Sequence, residues 1–375
     1  MLNNRITSCN EVSVEEVDKF AWKVICDWPA YADIDVMHEG LDYSHLTRYF
    51  LWDKVGRALR KKYAPDSFRF EEKLLDGIWG IANTLPPQPP FNFLKTTKQT
   101  IRSVYRWSSY ESLRIHAYLH QLPILFVPVI PLQLFKTALA TLQSQMTVVT
   151  TSRFKHGGVS YDDINAYWIK IPPVKAKPNF DYAAQLHKGI LRGLHTMGVD
   201  LLDGDANLLW NQIVEQMSHI KQVETEVAMT RPRAILVYAD NHYPVQEYVL
   251  VARREGIPSI VLQHGLDCER YYLDEAYASA IAVWGKTRLH RYQQNSSWQP
   301  NLIQVTGNPE FDRLRIPEKI DTDGEYWLWV TRPHAPNKCY LPSRKCDEGI
   351  DILKALLDSP DKIPLFSPDD QTPSL

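Results

Sequence analysis

Apolar and polar positions alternate along this chain in two rhythms, and the change from one to the other falls near residue 90. From Asp42 to Lys62 the apolar residues Leu46, Tyr49, Phe50, Val55 and Leu59 recur at helical three- and four-residue steps. Arg48, Lys54, Arg57, Arg60, Lys61 and Lys62 fill the remaining positions, so the pattern predicts an amphipathic basic helix. Such a face either docks on an anionic membrane surface or a lipid-diphosphate acceptor, or is simply solvated. The prolines Pro86, Pro87, Pro89 and Pro90 cannot sit inside a helix or central strand and mark a linker or stiff loop.

Past that loop, short apolar runs alternate with helical segments. Ile124 to Ile130 and Met146 to Thr151 read as strands, with a helix from Leu132 to Gln145 between them. Helices follow over Asp181 to Gly198 and Asn207 to Met229, the second stopping at Arg231-Pro232. The clearest unit is strand Ala234 to Tyr238, polar turn Ala239 to Tyr243, helix Pro244 to Glu255, a stop at Gly256, and strand Ser259 to Leu262. This is a βαβ crossover, so its two strands are expected to run parallel. A strand at Ala278 to Trp284, a helix to about Asn295 and a strand at Leu302 to Thr306 continue the pattern.

Repeated β-loop-α units predict a doubly wound α/β domain with ligands gathered outside the carboxyl ends of its strands. After Arg315 the pattern restarts with strand Tyr326 to Thr331, loop Arg332 to Ser343 and helix Cys346 to Leu357. We therefore expect a helical region over 1–90, a Rossmann-like domain over 91–315 and a partial Rossmann-like domain over 316–375.

Composition narrows the class of function. With 42 Lys+Arg against 44 Asp+Glu in 375 residues, nothing in the bulk charge asks for nucleic acid. Cys9, Cys26, Cys268, Cys339 and Cys346 form no C-x-x-C pair and no zinc-like spacing, which points away from a disulfide framework or structural metal and toward a reducing cytoplasm. Glu11, Glu15, Glu16 and Asp18 occupy the region where an export signal needs a basic start and an apolar run. The apolar stretch Leu122 to Phe135 is broken by three prolines and falls short of the ~18 residues of a membrane span.

Candidate chemistry collects where an α/β sheet places its ligand. His264, between Gln263 and Gly265, follows the strand ending at Leu262 and can exchange a proton near neutral pH. The turn Asp240-Asn241-His242-Tyr243 belongs to the preceding strand, and reads equally well as a site or as an Asx turn opening a helix. Gly307, Asn308 and Glu310 form a third cluster, and Arg332, His334 and Lys338 a fourth whose cations suit phosphate oxygens. Glu39, in His38-Glu39-Gly40, adds a carboxylate with no partner in sequence. P-loop, dinucleotide-binding, nucleophile-elbow and zincin motifs do not occur.

The words ILVYAD, VLQHG, AIAVWGKTRLHRY and QVTGNPEFDRL, in that order, resemble the end of the N-terminal domain in GT-B type glycosyltransferases of bacterial surface polysaccharide synthesis. Capsule enzymes and CDP-glycerol glycerophosphotransferases belong to this group, with UDP-N-acetylglucosamine 2-epimerase as a structural cousin. The resemblance implies that His264 is the counterpart of a histidine in a Trp-His-Gly motif implicated in catalysis. It implies too that Gly307 to Asp312 is a hinge and that TRPHAPNK faces the nucleotide. The family's later C-domain motifs do not follow Phe366, so the second domain is expected to be incomplete.

The expected activity is sugar transfer from a nucleotide-sugar donor to a surface polysaccharide or lipid-linked glycan acceptor, with no further cofactor or metal. His264, Asp240 and Glu39 are the catalytic candidates. Asn241, His242, Gln263, Gly265, Gly307, Asn308, Glu310, Arg332, His334 and Lys338 are the substrate-binding ones. The alternatives are a catalytically incompetent remnant that binds a glycan or protein, and a nucleotide-sugar epimerase. The expected location is the cytoplasm, with peripheral contact at the inner membrane face through the basic helix 45–62 as a further option.

Overall fold

The computed structural model describes residues 12–65, 122–129, 132–151, 166–169, 171, 174, 177–263, 276–295 and 302–309. Glu15–Leu59 and Gln88–Leu314 form one compact unit, and Met1–Val14, Arg60–Pro87 and Arg315–Leu375 belong to a second. Helix α1 (Val14–Asp27) leads into a 3-10 turn at Trp28–Tyr31, then a hairpin of β1 (Met37–His38) and β2 (Leu41–Asp42), and helix α2 (Tyr43–Tyr63). The alternating region contributes β3 (Ile124–Phe126), α3 (Leu132–Leu142), β4 (Thr147–Thr151), β5 (Ala166–Ile169), α4 (Phe180–Thr196) and α5 (Asp205–Thr230). It ends with β6 (Ala234–Val237), α6 (Gln246–Arg254), β7 (Ser259–Leu262), β8 (Ala280–Val283), α7 (Lys286–Asn295) and β9 (Leu302–Val305).

Strands β3 to β9 make a seven-stranded sheet in the order β5-β4-β3-β6-β7-β8-β9. Every pairing in it is parallel, with Leu125 opposite Val148 and Ala234, and Ile260 opposite Leu236 and Ala280. Counted from β3, the order is 3-2-1-4-5-6-7, which is compatible with a Rossmann-like fold. The expectation of an α/β domain with a parallel sheet is met at that level. β3 is shorter than the run Ile124 to Ile130 suggested. Val127 N still donates to Val149 O at 2.8 Å, but Pro128 has no N–H to carry the ladder further.

Period-two alternation decides which side chain meets which layer. Leu125, Val127, Val148, Ala234 and Leu236 pack with Phe135 and Leu139 of α3 into one core. Phe126, one position out of step, meets the Tyr248 ring of α6 at 6.0 Å between centroids. β6 is buried at all four positions, as a central parallel strand must be, while Leu302 on the outer strand β9 is 55% exposed.

Glycines permit close approaches between elements. A Cβ on Gly193 of α4 would stand 2.6 Å from the Trp28 carbonyl oxygen, so only glycine lets the 3-10 turn lie on that helix. Gly40, at φ +75°, closes the β1–β2 turn beneath Arg254, whose Cδ would lie 2.9 Å from an added Cβ. Helix α4 starts on Asn179, whose Oδ1 accepts from Tyr182 N at 3.1 Å.

Helix α2 forms where the pattern placed it, but it does not present a solvated basic face. Leu46, Leu51, Trp52, Val55 and Leu59 are buried, and so is Arg48, which donates to the Tyr277 hydroxyl at 3.2 Å. Lys54 and Arg57 lie 3.7 and 3.9 Å from the buried Asp205 carboxylate at the start of α5. Lys54 and Arg57 are thus paired with a carboxylate inside the fold, and the exposed cations Lys61 and Lys62 sit in the last turn of the helix. Among the described residues, no helix is long and apolar enough to cross a membrane.

Candidate functional site

A sheet of this order reverses direction between β3 and β6, and the crevice outside the carboxyl ends of those two strands is where such folds bind ligands. On the β3 side the chain leaves through Val127, Pro128 and Val129, with both valines buried and no glycine to bring backbone N–H groups against a pyrophosphate. Polar chemistry comes from the β6 side, in Tyr238 to His242.

Asp240 is 2% exposed and its Oδ2 accepts from Tyr277 N at 2.7 Å and from Ala278 N at 2.9 Å. Burial pushes the carboxyl up to about 6, against the two backbone donors and the nearby Arg288 guanidinium, which favour the charged form. These bonds tie the exit of β6 to the chain approaching β8. The carboxyl expected to be catalytic braces the fold at this point, with Oδ2 committed to two backbone donors.

The next two residues are half-buried and differently arranged. His242 Nδ1 lies 3.0 Å from Asn241 Oδ1, and its Nε2 lies 3.5 Å from the Tyr238 hydroxyl. Because an amide oxygen only accepts, this orientation puts the ring proton on Nδ1 and the lone pair on Nε2, toward the phenol. Burial raises Tyr238 above the ordinary phenol value, so that hydroxyl keeps its proton at neutral pH and can donate. Tyr49 of α2 closes the group, its ring centroid 5.5 Å from that of His242. The N-terminal helix therefore reaches the carboxyl edge of the sheet, a contact that no reading of local pattern could supply.

Other expected site residues are spread apart. Gln263 follows β7, where its Oε1 accepts from Trp284 N at 2.8 Å and its backbone N–H donates to Ala282 O at 3.0 Å, prolonging the β7–β8 ladder. Gly307, at φ +76°, and Asn308 follow β9, three strands from β6 or roughly 14 Å at ~4.8 Å per strand. Glu39 sits at the opposite edge. Arg254, at the end of α6 and thus near the amino ends of the strands, donates to the Glu39 carbonyl at 3.0 Å. The Glu39 carboxylate accepts from Lys221 Nζ at 2.5 Å, and that bond holds it below the usual carboxylate range. It latches the hairpin to α5 rather than joining the carboxyl-edge cluster. His264, Gly265, Glu310, Arg332, His334 and Lys338 lie outside the described residues.

A second polar assembly is invisible to motif reading. In the seam where α2, α5 and α6 meet, Gln216, His219, Glu226, Glu247 and Tyr248 are all at most 3% exposed. Tyr248 donates to Glu226 Oε2 at 2.6 Å, and Gln222 Nε2 donates to Glu226 Oε1 at 2.8 Å. Gln216 Nε2 donates to Leu46 O at 2.8 Å and lies 3.3 Å from Glu247 Oε1, while His219 Nδ1 is 3.9 Å from Glu247 Oε2. The available signal was Gln216, His219, Gln222, Glu226 and Thr230 recurring at steps of three and four along α5, in line with its buried apolar residues. Among the described residues, no group of three or more His, Cys, Asp or Glu side chains could hold a metal ion.

No protein-family model, curated protein or solved structure matches this chain.

Proposed function

We propose that this chain is a glycosyltransferase-like protein that moves a sugar from a nucleotide-sugar donor to a surface polysaccharide or lipid-linked glycan acceptor. In this reading, residues 91–315 form the N-terminal lobe of a GT-B arrangement and 316–375 belong to its second lobe. The observation that carries it is the Asn241–His242–Tyr238 chain at the carboxyl end of β6, beside the reversal point of an all-parallel sheet. That position suits an acceptor hydroxyl that must lose a proton as it attacks. Arg332, His334 and Lys338 supply the cations a departing diphosphate needs. His264, which follows Gln263 in sequence, remains a second imidazole for the same step.

One specific observation favours the binding-module alternative. Asp240 and Gln263, two of the expected site residues, bond to backbone N–H groups and contribute architecture instead of chemistry. Incubating the full chain with a panel of nucleotide sugars and CDP-glycerol, then measuring nucleoside mono- and diphosphate release with and without glycan acceptors, separates the two. Acceptor-dependent release is the expected result. Absence of release from every donor in the panel overturns the transferase reading, and calorimetry then shows whether nucleotide binding is retained.

A further inference from the structure

We propose that Tyr238 and His242 form a two-step proton relay for the acceptor hydroxyl, with Asn241 as the positioning residue that fixes the imidazole tautomer. The inference deepens the sugar-transfer reading and rests on it. It differs from the role expected of His264 in naming another imidazole, a phenol and an amide, all three placed by geometry.

The order of the chain follows from donor and acceptor roles. Asn241 Oδ1 accepts from Nδ1–H of His242 at 3.0 Å, which leaves Nε2 unprotonated. Nε2 stands 3.5 Å from the Tyr238 hydroxyl, at the long end of a hydrogen bond, as catalytic contacts often are before substrate binds. Tyr238 is half-buried, with its ring packed against the core formed by Leu125, Val127 and Leu236, so the phenol is held by the sheet itself. Tyr49 packs near the imidazole, with ring centroids 5.5 Å apart. Asp240, buried and bonded to Tyr277 and Ala278, fixes the backbone immediately before Asn241.

In the step itself, the acceptor oxygen forms a bond to the anomeric carbon while the bond from that carbon to the donor phosphate oxygen breaks, its electron pair leaving with the nucleotide. The acceptor proton passes to the Tyr238 oxygen as the Tyr238 proton passes to His242 Nε2. The products are a glycosidic bond, a nucleotide anion and an imidazolium, which returns its proton to solvent. Charge and atoms balance without a further reactant.

The test combines two readouts on the full chain. Histidine-selective ¹⁵N labelling, with His242 assigned by comparison with His242→Gln, reports the tautomer independently of turnover. Release of nucleoside diphosphate from the nucleotide sugar found active in the panel reports catalysis. Expected are an Nδ1–H tautomer in the wild type that is lost in Asn241→Ala, and a fall in rate of about 10²-fold or more in His242→Gln. Tyr238→Phe should lower the rate at least about tenfold while keeping the tautomer. Asn241→Asp keeps an acceptor for Nδ1–H, but its carboxylate favours imidazolium, so the acidic limb of the pH–rate profile should move to higher pH. An Nε2–H tautomer in the wild type, or a Tyr238→Phe rate equal to that of the wild type, overturns the relay. An Nδ1–H tautomer with no release from any donor supports the hydrogen-bond chain and overturns the sugar-transfer reading, so the two failures are distinguishable.

Discussion

The helix seam around Glu226 and Glu247 and the sheet edge around His242 are both built from polar side chains, and both join elements distant in sequence. In the seam, Glu226 receives Tyr248 and Gln222, and Gln216 reaches the Leu46 carbonyl, all inside packed apolar surroundings. At the edge, Tyr238, Asn241 and His242 keep part of their surface in solvent, and their hydrogen bonds run in a line from amide to imidazole to phenol. Buried polar groups that satisfy one another hold helices in one register, because any other register strands them without partners. A partly exposed line can pass a proton to or from a ligand.

This contrast predicts a graded set of mutational effects. The largest belongs to the seam. Glu226→Ala removes the acceptor of two buried donors at once, and at ~1–3 kcal/mol for each stranded group the loss should be roughly 2–6 kcal/mol in urea unfolding. A loss under about 1 kcal/mol would mean that the Glu226 bonds do not hold the seam together.

Asp240 should behave like the seam despite its place in a candidate site. Asp240→Ala strands the N–H groups of Tyr277 and Ala278 and should cost roughly 2–4 kcal/mol. Asp240→Asn keeps an acceptor oxygen and should fold. In the wild type the folded carboxyl titrates near 6 against an ordinary 3.8, so between those values the folded chain holds a proton that the unfolded chain has lost. The contribution of Asp240 to stability is therefore greatest in acid and falls as pH rises through that window. Asp240→Asn should flatten this part of the stability–pH curve, and an unchanged slope would remove the assignment.

Effects at the edge should be small in stability and large in chemistry. His242→Ala is expected to change unfolding free energy by no more than about 1 kcal/mol, since a half-exposed side chain loses little burial. The smallest effect belongs to the amino edge. Glu39→Gln weakens an exposed latch to Lys221 and should cost under about 1 kcal/mol, less still in high salt. Because that pairing depresses the Glu39 carboxyl, its contribution is present above the ordinary carboxylate value and is lost as pH falls through the depressed one.

Much of the sheet was legible because each strand carries its own signal. Ala234 to Val237 and Ser259 to Leu262 are short apolar runs bounded by turn residues, and the helix between them is long enough for a parallel crossover. β5 was not legible, since four residues, Ala166–Ile169, pair along β4 at the sheet's end with little local pattern. The site was legible only in part. Position at a strand's carboxyl end picked out Asp240, Asn241 and His242 together, but burial and partners separate a brace from a relay, and both depend on Tyr277, Tyr238 and Tyr49. The basic look of α2 misled for the same reason, because charge along a sequence does not reveal that Arg48 meets Tyr277 or that Lys54 meets Asp205.

The most direct test places function at one edge of the sheet. Nucleoside diphosphate release by the full chain is compared between wild type, His242→Ala and Glu224→Gln, the last a partner of Lys221 and Arg254 in the amino-edge network. A loss of about 10²-fold or more confined to His242→Ala is the predicted result. Equal turnover in wild type and His242→Ala, or a loss confined to Glu224→Gln, would contradict a carboxyl-edge site.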